Sequence, residues 1–461
     1  MHRNRKPNHC KDSSTENGGC TQGQGQDHDP DTDNNGNHEV AVELEPRATC
    51  ECNDYSGMEI YRQLRPLLIC MRIFGLFFKR TTFRGRSNRP QMEVIVLYCF
   101  VVNFLLVMNV LRSFTVYRMA DAFDNVLVQR LLFTIWSTEC AFKGLLLMWN
   151  CYKQNGLPKF FREWDNTCGN IKLNKMCHFM MKKFLFLSFI FIIFNSVVFS
   201  LILVYVPILK NIYLEVVWKN AVMYENHVIF KTILGILAVL NSSASMFPVS
   251  LFVVLSFAVS EQLKKFTNDL TTAIAEDDFN GRIEDFRLRH QNLCVLVDIL
   301  DRIFAPMIAA VFIANIPMFC LVLYTLVTTI DIHISLVLIN LFWLCFILLQ
   351  MTIVSVTAAW VNVKAHSPLD HIYSIRFSTT SNAVQLQMLL FLNRLTGTQI
   401  GLTAMKMFVI DKPTILTVAG MMVTYFVLLI QFKMPLSPDC HCNITGTVFL
   451  NNGTLTVSQT S

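Results

Sequence analysis

The chain has 461 residues and a mass of 52.9 kDa; 53% of its residues are apolar and only 16% are charged. Phe alone fills 37 positions and the mean hydropathy is +0.41, which excludes a soluble globule with the usual charged share of about 25% and makes lipid the expected solvent. The net charge of +6 is spread over many short loops rather than one face, which argues against a nucleic-acid binder.

Residues 1–55 are rich in Asn, Asp, Gly, Gln, Ser and His, as in GQGQDHDPDTDNNGNHE, and contain no apolar run. Such a segment cannot offset its ordering entropy, so a disordered cytoplasmic tail is expected. It also lacks the short apolar core of a cleavable signal, so the first membrane helix is expected to act as its own signal. Within the next region, 56–91, the apolar run Pro66–Phe78 is flanked by Arg62, Arg65, Lys79 and Arg80. It is too short to cross, and a helix lying on the membrane surface is expected.

Seven later stretches approach or exceed the roughly 20 apolar residues that a crossing needs. They are Val94–Leu111, Val126–Trp149, Phe184–Leu209, Val228–Ser256, Phe304–Thr329, Ile334–Ala358 and Phe408–Phe432. The first four fall in a block at 92–260, the next two at 304–360 and the last at 408–432. Between them, 261–303 and 361–407 read as helical regions outside the membrane. Glu261–Arg302 places Leu293, Val295, Leu296, Ile299 and Leu300 at helical spacing, and Ser381–Leu395 repeats the pattern. These pieces are expected to extend spans four and five and to pack with the segment before span seven. They serve either packing within one subunit or, as their surplus apolar surface favours, a platform for subunit assembly.

Lys and Arg set the orientation. From Ser56, the segments before span one and after spans two, four and six hold eight, seven, six and four basic residues. Those after spans one, three, five and seven hold two, two, none and one. The amino terminus is therefore expected in the cytosol and the carboxyl terminus, 433–461, outside. Asn443 and Asn452 begin sequons in that tail and are expected to be glycosylated; Asn241 begins a third, but inside an apolar span. G-protein-coupled receptors have the opposite orientation, and their Asp/Glu-Arg-Tyr and Asn-Pro-x-x-Tyr motifs are missing here. The fold class expected is an all-α integral membrane protein with seven transmembrane helices.

Of the 15 cysteines, Cys99, Cys140, Cys320 and Cys345 lie in apolar runs and read as small hydrophobes. Cys50 with Cys52 and Cys440 with Cys442 form the close pairs, but neither has a partner pair at zinc-site spacing, so no metal or other cofactor is expected. There is no phosphate-binding Gly-rich loop, nucleophile elbow or His-Glu-x-x-His, so the chain does not read as an enzyme.

The last span ends in Thr424-Tyr425, five apolar residues, then Gln431-Phe432. This ending resembles the signature of the insect gustatory-receptor family, seven-helix chemoreceptors related to insect odorant receptors. The stretches GLTAMKMFVIDKPTILTVAG and LRPLLICMRIFGLFF are also similar to family sequence. The resemblance implies a ligand-gated, non-selective cation channel in the plasma membrane of a sensory neuron. It implies a homotetramer, or a heterotetramer with related receptors, in which the final helices line one pore. It further implies a small-molecule ligand, such as a sugar or alkaloid, bound in the outer half of helices two to six. A receptor acting through partner proteins, a light or peroxide sensor, and a developmental gustatory-receptor-like protein remain as alternatives.

Thr424, Val427 or Leu428, and Gln431 share one helical face. On periodicity alone Gln431 either lines a wet constriction or marks where the helix leaves the lipid. The resemblance favours a pore with Gln431, Phe432, Leu428 and Thr424 at the gate, closed by dewetting. Tyr425, with Thr424, is assigned to packing and helix-to-helix hydrogen bonds. The ligand-pocket candidates are Thr134, Trp136 and Glu139 in span two, Asn195 and Tyr205 in span three, Asn315 and Tyr324 in span five, and Asn340 and Trp343 in span six. Glu139 and Lys143 stand four apart in the order that favours an ion pair. They are either a mutually neutralising pair facing the bundle interior or, with Glu139 as floor and Trp136 as wall, part of the pocket. His227 and His333 could sense pH, or be ordinary interfacial histidines.

Overall fold

A computed structural model describes residues 58–79, 89–115, 125–169, 174–205, 228–276, 278–329, 334–375 and 381–433. The 1–55 tail, Asn443, Asn452, His227, His333 and both close cysteine pairs lie outside these residues, as do the side chains of Tyr205 and Phe432. The described helices are α1 (Glu59–Ile73), α2 (Arg89–Phe114), α3 (Asn125–Tyr152), α4 (Leu157–Cys168), α5 (Lys175–Tyr205), α6 (Val228–Ala275), α7 (Phe279–Thr329), α8 (Ile334–His366), α9 (Pro368–Tyr373), α10 (Asn382–Gly397) and α11 (Lys412–Lys433). Strands β1 (Thr403–Ala404) and β2 (Phe408–Val409) pair just before α11.

Six helices, α2, α3, α5, α6, α7 and α8, are long and apolar enough to cross a membrane, and α11 adds a shorter apolar stretch, Lys412–Leu428. α6 and α7 have 48 and 51 residues. At 1.5 Å per residue they reach about 72 and 77 Å, against roughly 30 Å of hydrocarbon, so each has more than half its length beyond what a crossing needs. The predicted Glu261–Arg302 helices are therefore continuations of the two spans, turned back on each other near Asp278. Phe266 of α6 closes this extension, edge-on to Phe286 of α7 at 6.0 Å and to Phe391 of α10 at 6.4 Å. Ser381 caps α10, its hydroxyl accepting from the Val384 N–H. In the apolar belt α5 packs on α6, α2 on α3, α3 on α7 and α7 on α8, while α11 rests on α7 and α8.

α1 forms where the short apolar run predicts a helix, but Ile60, Leu64, Leu67, Leu68 and Met71 are buried. Its apolar stripe faces the chain's own α4, α5 and α6, which therefore cover much of the surface that a lipid interface would take. The chain leaves α1 through Gly75, whose φ is +68°. A Cβ there would stand 2.6 Å from Val102 Cγ2 of α2. Gly75→Ala combines a strained backbone with a clash and should cost about 2–3 kcal/mol, read as a lowered Tm of the detergent-purified chain.

His290 lies in the extension of α7, before the apolar stretch that opens at Phe304, and is 1% exposed. Its ring contacts Phe266 at 5.5 Å and Phe391 at 5.1 Å, and Nε2 lies 3.4 Å from the Ala365 carbonyl. Burial pushes its pKa down to about 4. The neutral ring is thus the folded form, so its stabilising effect is complete above the ordinary histidine value and is lost as pH falls toward 4. The shift corresponds to about 3 kcal/mol. His290→Gln should flatten the fall in stability between pH 6.5 and 4, measured by thermal unfolding across pH.

Span seven does not open at Phe408, where its apolar run starts. Phe408 and Val409 pair with Ala404 and Thr403, and the helix begins at Lys412. The Asp411 carboxylate accepts from the Thr414 N–H at 2.9 Å and from its hydroxyl at 2.7 Å, a cap that fixes the start.

Candidate functional site

Helix α3 presents Gln129, Phe133, Trp136, Glu139 and Lys143 at three- and four-residue spacing, and α8 presents Asn340, Trp343, Phe346 and Gln350 in the same way. These faces meet. Trp136 stands edge-on to Trp343, with ring centroids 5.1 Å apart at 76°. Phe133 lies against Trp136 at 6.1 Å, and Phe346 against Trp343 at 5.9 Å. Phe191 of α5 completes the group, stacked on Phe346 at 4.1 Å. The Gln129 amide donates to Asn340 Oδ1 at 3.3 Å.

Charge lies beneath these rings. Lys143 Nζ is 2.5 Å from Glu139 Oε1, with side-chain exposures of 0% and 1%. The Gln350 amide, 211 residues away in sequence, donates to the same oxygen at 2.9 Å. A carboxylate or ammonium buried alone is prohibitively costly; together, with Gln350 sharing the load, the two are tolerated. The mutually neutralising pair is thus present in the bundle interior, on the same face of α3 as Trp136. Glu139 Oε2, Gln350 Oε1 and Trp136 Nε1 are buried and have no hydrogen-bond partner among the described residues. They leave two acceptors and one donor on this seam.

The other pocket candidates are placed more loosely. Thr134 is 7% exposed on α3, one turn before Thr138, whose hydroxyl donates to its carbonyl at 2.7 Å. Asn195 donates to Ser242 Oγ at 2.6 Å across the α5–α6 contact, and so belongs to a neighbouring seam. Asn315 is fully buried on α7 with neither amide atom partnered among the described residues, and Tyr324 is half-buried further along that helix. Tyr205 is placed only by its backbone, at the end of α5. Sequence reasoning passed over Gln350, Phe191 and Phe346. Gln350 carried a signal, being one of two amides in its apolar span and seven residues from Trp343; the two phenylalanines carried none among 37.

Helix α11 is two-sided. Val418 and Met422 are buried, with Ile415, Phe426 and Ile430 partly covered on the same side. Thr417, Gly420, Thr424, Leu428 and Gln431 lie on the opposite side and are exposed. Among the described residues Thr424 makes no hydrogen bond to another helix. Its hydroxyl donates to the Gly420 carbonyl of its own helix at 2.9 Å, the usual recourse of a helical Thr without a neighbour. Tyr425 is 48% exposed.

Apolar helices of spanning length, with a buried polar seam among them, define a multi-pass helical membrane protein. The chain belongs to the 7tm chemosensory receptor family, whose sequence profile matches residues 64–435. Two solved structures share the fold. One is the insect olfactory receptor OR5 from Machilis hrabei in complex with eugenol, with a TM-score of 0.67 at 16% identity over 82% of this chain and 100% of that one. The other is the same receptor described without the ligand, with a TM-score of 0.62 at the same identity and coverage. No curated protein matches the chain by sequence.

Proposed function

We propose that the chain is a gustatory-type chemoreceptor of the plasma membrane, a ligand-gated non-selective cation channel with its amino terminus in the cytosol and its carboxyl terminus outside. Four copies, identical or mixed with related receptors, meet around α11. The observation that carries this reading is the two-sidedness of α11. Its packed side is apolar, while the side turned from its own bundle carries Thr417, Gly420, Thr424 and Gln431. Lipid rewards no Thr or Gln, whereas a water-filled axis does. The bared Leu386, Leu389 and Leu390 of α10, 59%, 66% and 48% exposed, supply apolar surface for the neighbouring copies.

The ligand site is the α3–α8 seam. Glu139 already holds Lys143, so a cationic amine gains little there. Free acceptors and a donor beneath an aromatic wall suit a neutral, hydroxyl-bearing molecule such as a sugar. That OR5 is solved with eugenol supports a small-molecule ligand. Ligand binding opens the channel by its higher affinity for the open state. In cells expressing this chain alone, with G-protein signalling blocked, hydroxylated tastants should evoke cation currents; a response that requires GTP would overturn the channel reading.

A further inference from the structure

The hairpin ahead of α11 is seated on α7 by one carboxylate. Asp301, 7% exposed, accepts from the Thr403 N–H at 2.6 Å and from the Thr403 hydroxyl, at 2.9 Å through Oδ1 and 3.1 Å through Oδ2. Thr403 Oγ1 in turn accepts from the Lys406 N–H at 3.0 Å. One turn along α7, the Ala305 carbonyl accepts from the Met405 N–H at 3.2 Å. The next residue is Pro306, which cannot donate to the carbonyl four residues back, so α7 lacks one rung at the point where the hairpin docks.

The turn held there is strained. Met405 and Lys406, neither of them glycine, have φ of 49° and 60°. Backbone of this kind persists only where its surroundings enforce it, and it gathers in parts that switch. The hairpin leads straight into α11: the Ile410 N–H donates to the Leu402 carbonyl at 2.9 Å, and the Asp411 cap follows. A strained turn, a buried carboxylate and a weakened helix rung thus coincide at the root of the seventh helix.

Resting on the pore reading of α11, we propose that Asp301 and Thr403 form a resting-state latch that holds the root of α11 against α7 at Pro306, and that opening requires its release. Asp301 is then a positioning residue for gating, since it acts through the hairpin and touches no permeating ion.

The test uses the purified full chain in phosphatidylcholine vesicles loaded with sodium, and reads resting efflux together with hydrogen exchange of the amides of residues 402–410. Thr403→Val keeps the backbone bond and loses the hydroxyl, so it spares folding better than Asp301→Ala. Both should raise resting efflux, by roughly tenfold for lost hydrogen bonds to a charged group. The pair combined should leak no more than Asp301→Ala alone, and Thr403→Ser should behave as the parent chain. Faster exchange in the hairpin with unchanged efflux would overturn the latch and leave the pore reading standing. Efflux unmoved by these variants and by Gln431→Ala alike would contradict the pore reading itself.

Discussion

Lys143→Met should destabilise the folded chain by about 3–5 kcal/mol, enough to deplete it from the cell surface. The loss comes less from the missing attraction than from what stays behind. Glu139 would be left charged and buried, with only the Gln350 amide as partner. If that is the cause, removing the second charge must restore most of what the first removal took. Glu139→Gln combined with Lys143→Met should recover to within about 1–2 kcal/mol of the parent, because a neutral amide beside Gln350 carries no charge penalty. Thermal unfolding of the purified chains reads both values. A single variant as stable as the parent would mean that the pair is hydrated rather than buried.

Gln431→Ala should change ion flow without changing the amount of receptor at the surface. In a ring of four the substitution acts four times over, so a barrier change of only about 1.4 kcal/mol in sum gives tenfold in conductance or resting leak. Leu428→Ala and Phe432→Ala should raise the leak by widening the dewetted constriction. Tyr425, 48% exposed but about 120° around α11 from Gln431, is the control, and Tyr425→Phe should leave permeation alone. Single-channel recording separates these cases. Unaltered conductance and leak in all three gate variants would assign the polar end of α11 to the lipid interface instead.

The spans were legible in the sequence because bilayer thickness imposes a length and a composition that few other structures satisfy. The extension of α6 and α7 was legible as well, since Leu293, Leu296 and Leu300 keep helical spacing while charges return between them. The hairpin was not. Its strands are two residues each, and its turn is Met405-Lys406 rather than the Asn-Gly or Asp-Gly that announces such turns, so the contacts with Asp301 and Ala305 of α7 explain it. Likewise Glu139 and Lys143 could be paired from their spacing on one helix, whereas Gln350 reaches them from another helix and no local pattern foretells that meeting. The apolar run at 66–78 likewise named no protein partner, since an apolar stripe does not say what covers it, and α4, α5 and α6 pack on α1.

Cryo-EM of the full-length chain extracted into detergent addresses the assembly directly. Four copies should surround one axis, with α11 innermost, Thr424 and Gln431 turned to the axis, and Val418 and Met422 turned back to their own bundle. A solitary subunit, or a ring in which another helix lies nearest the axis, would contradict the channel.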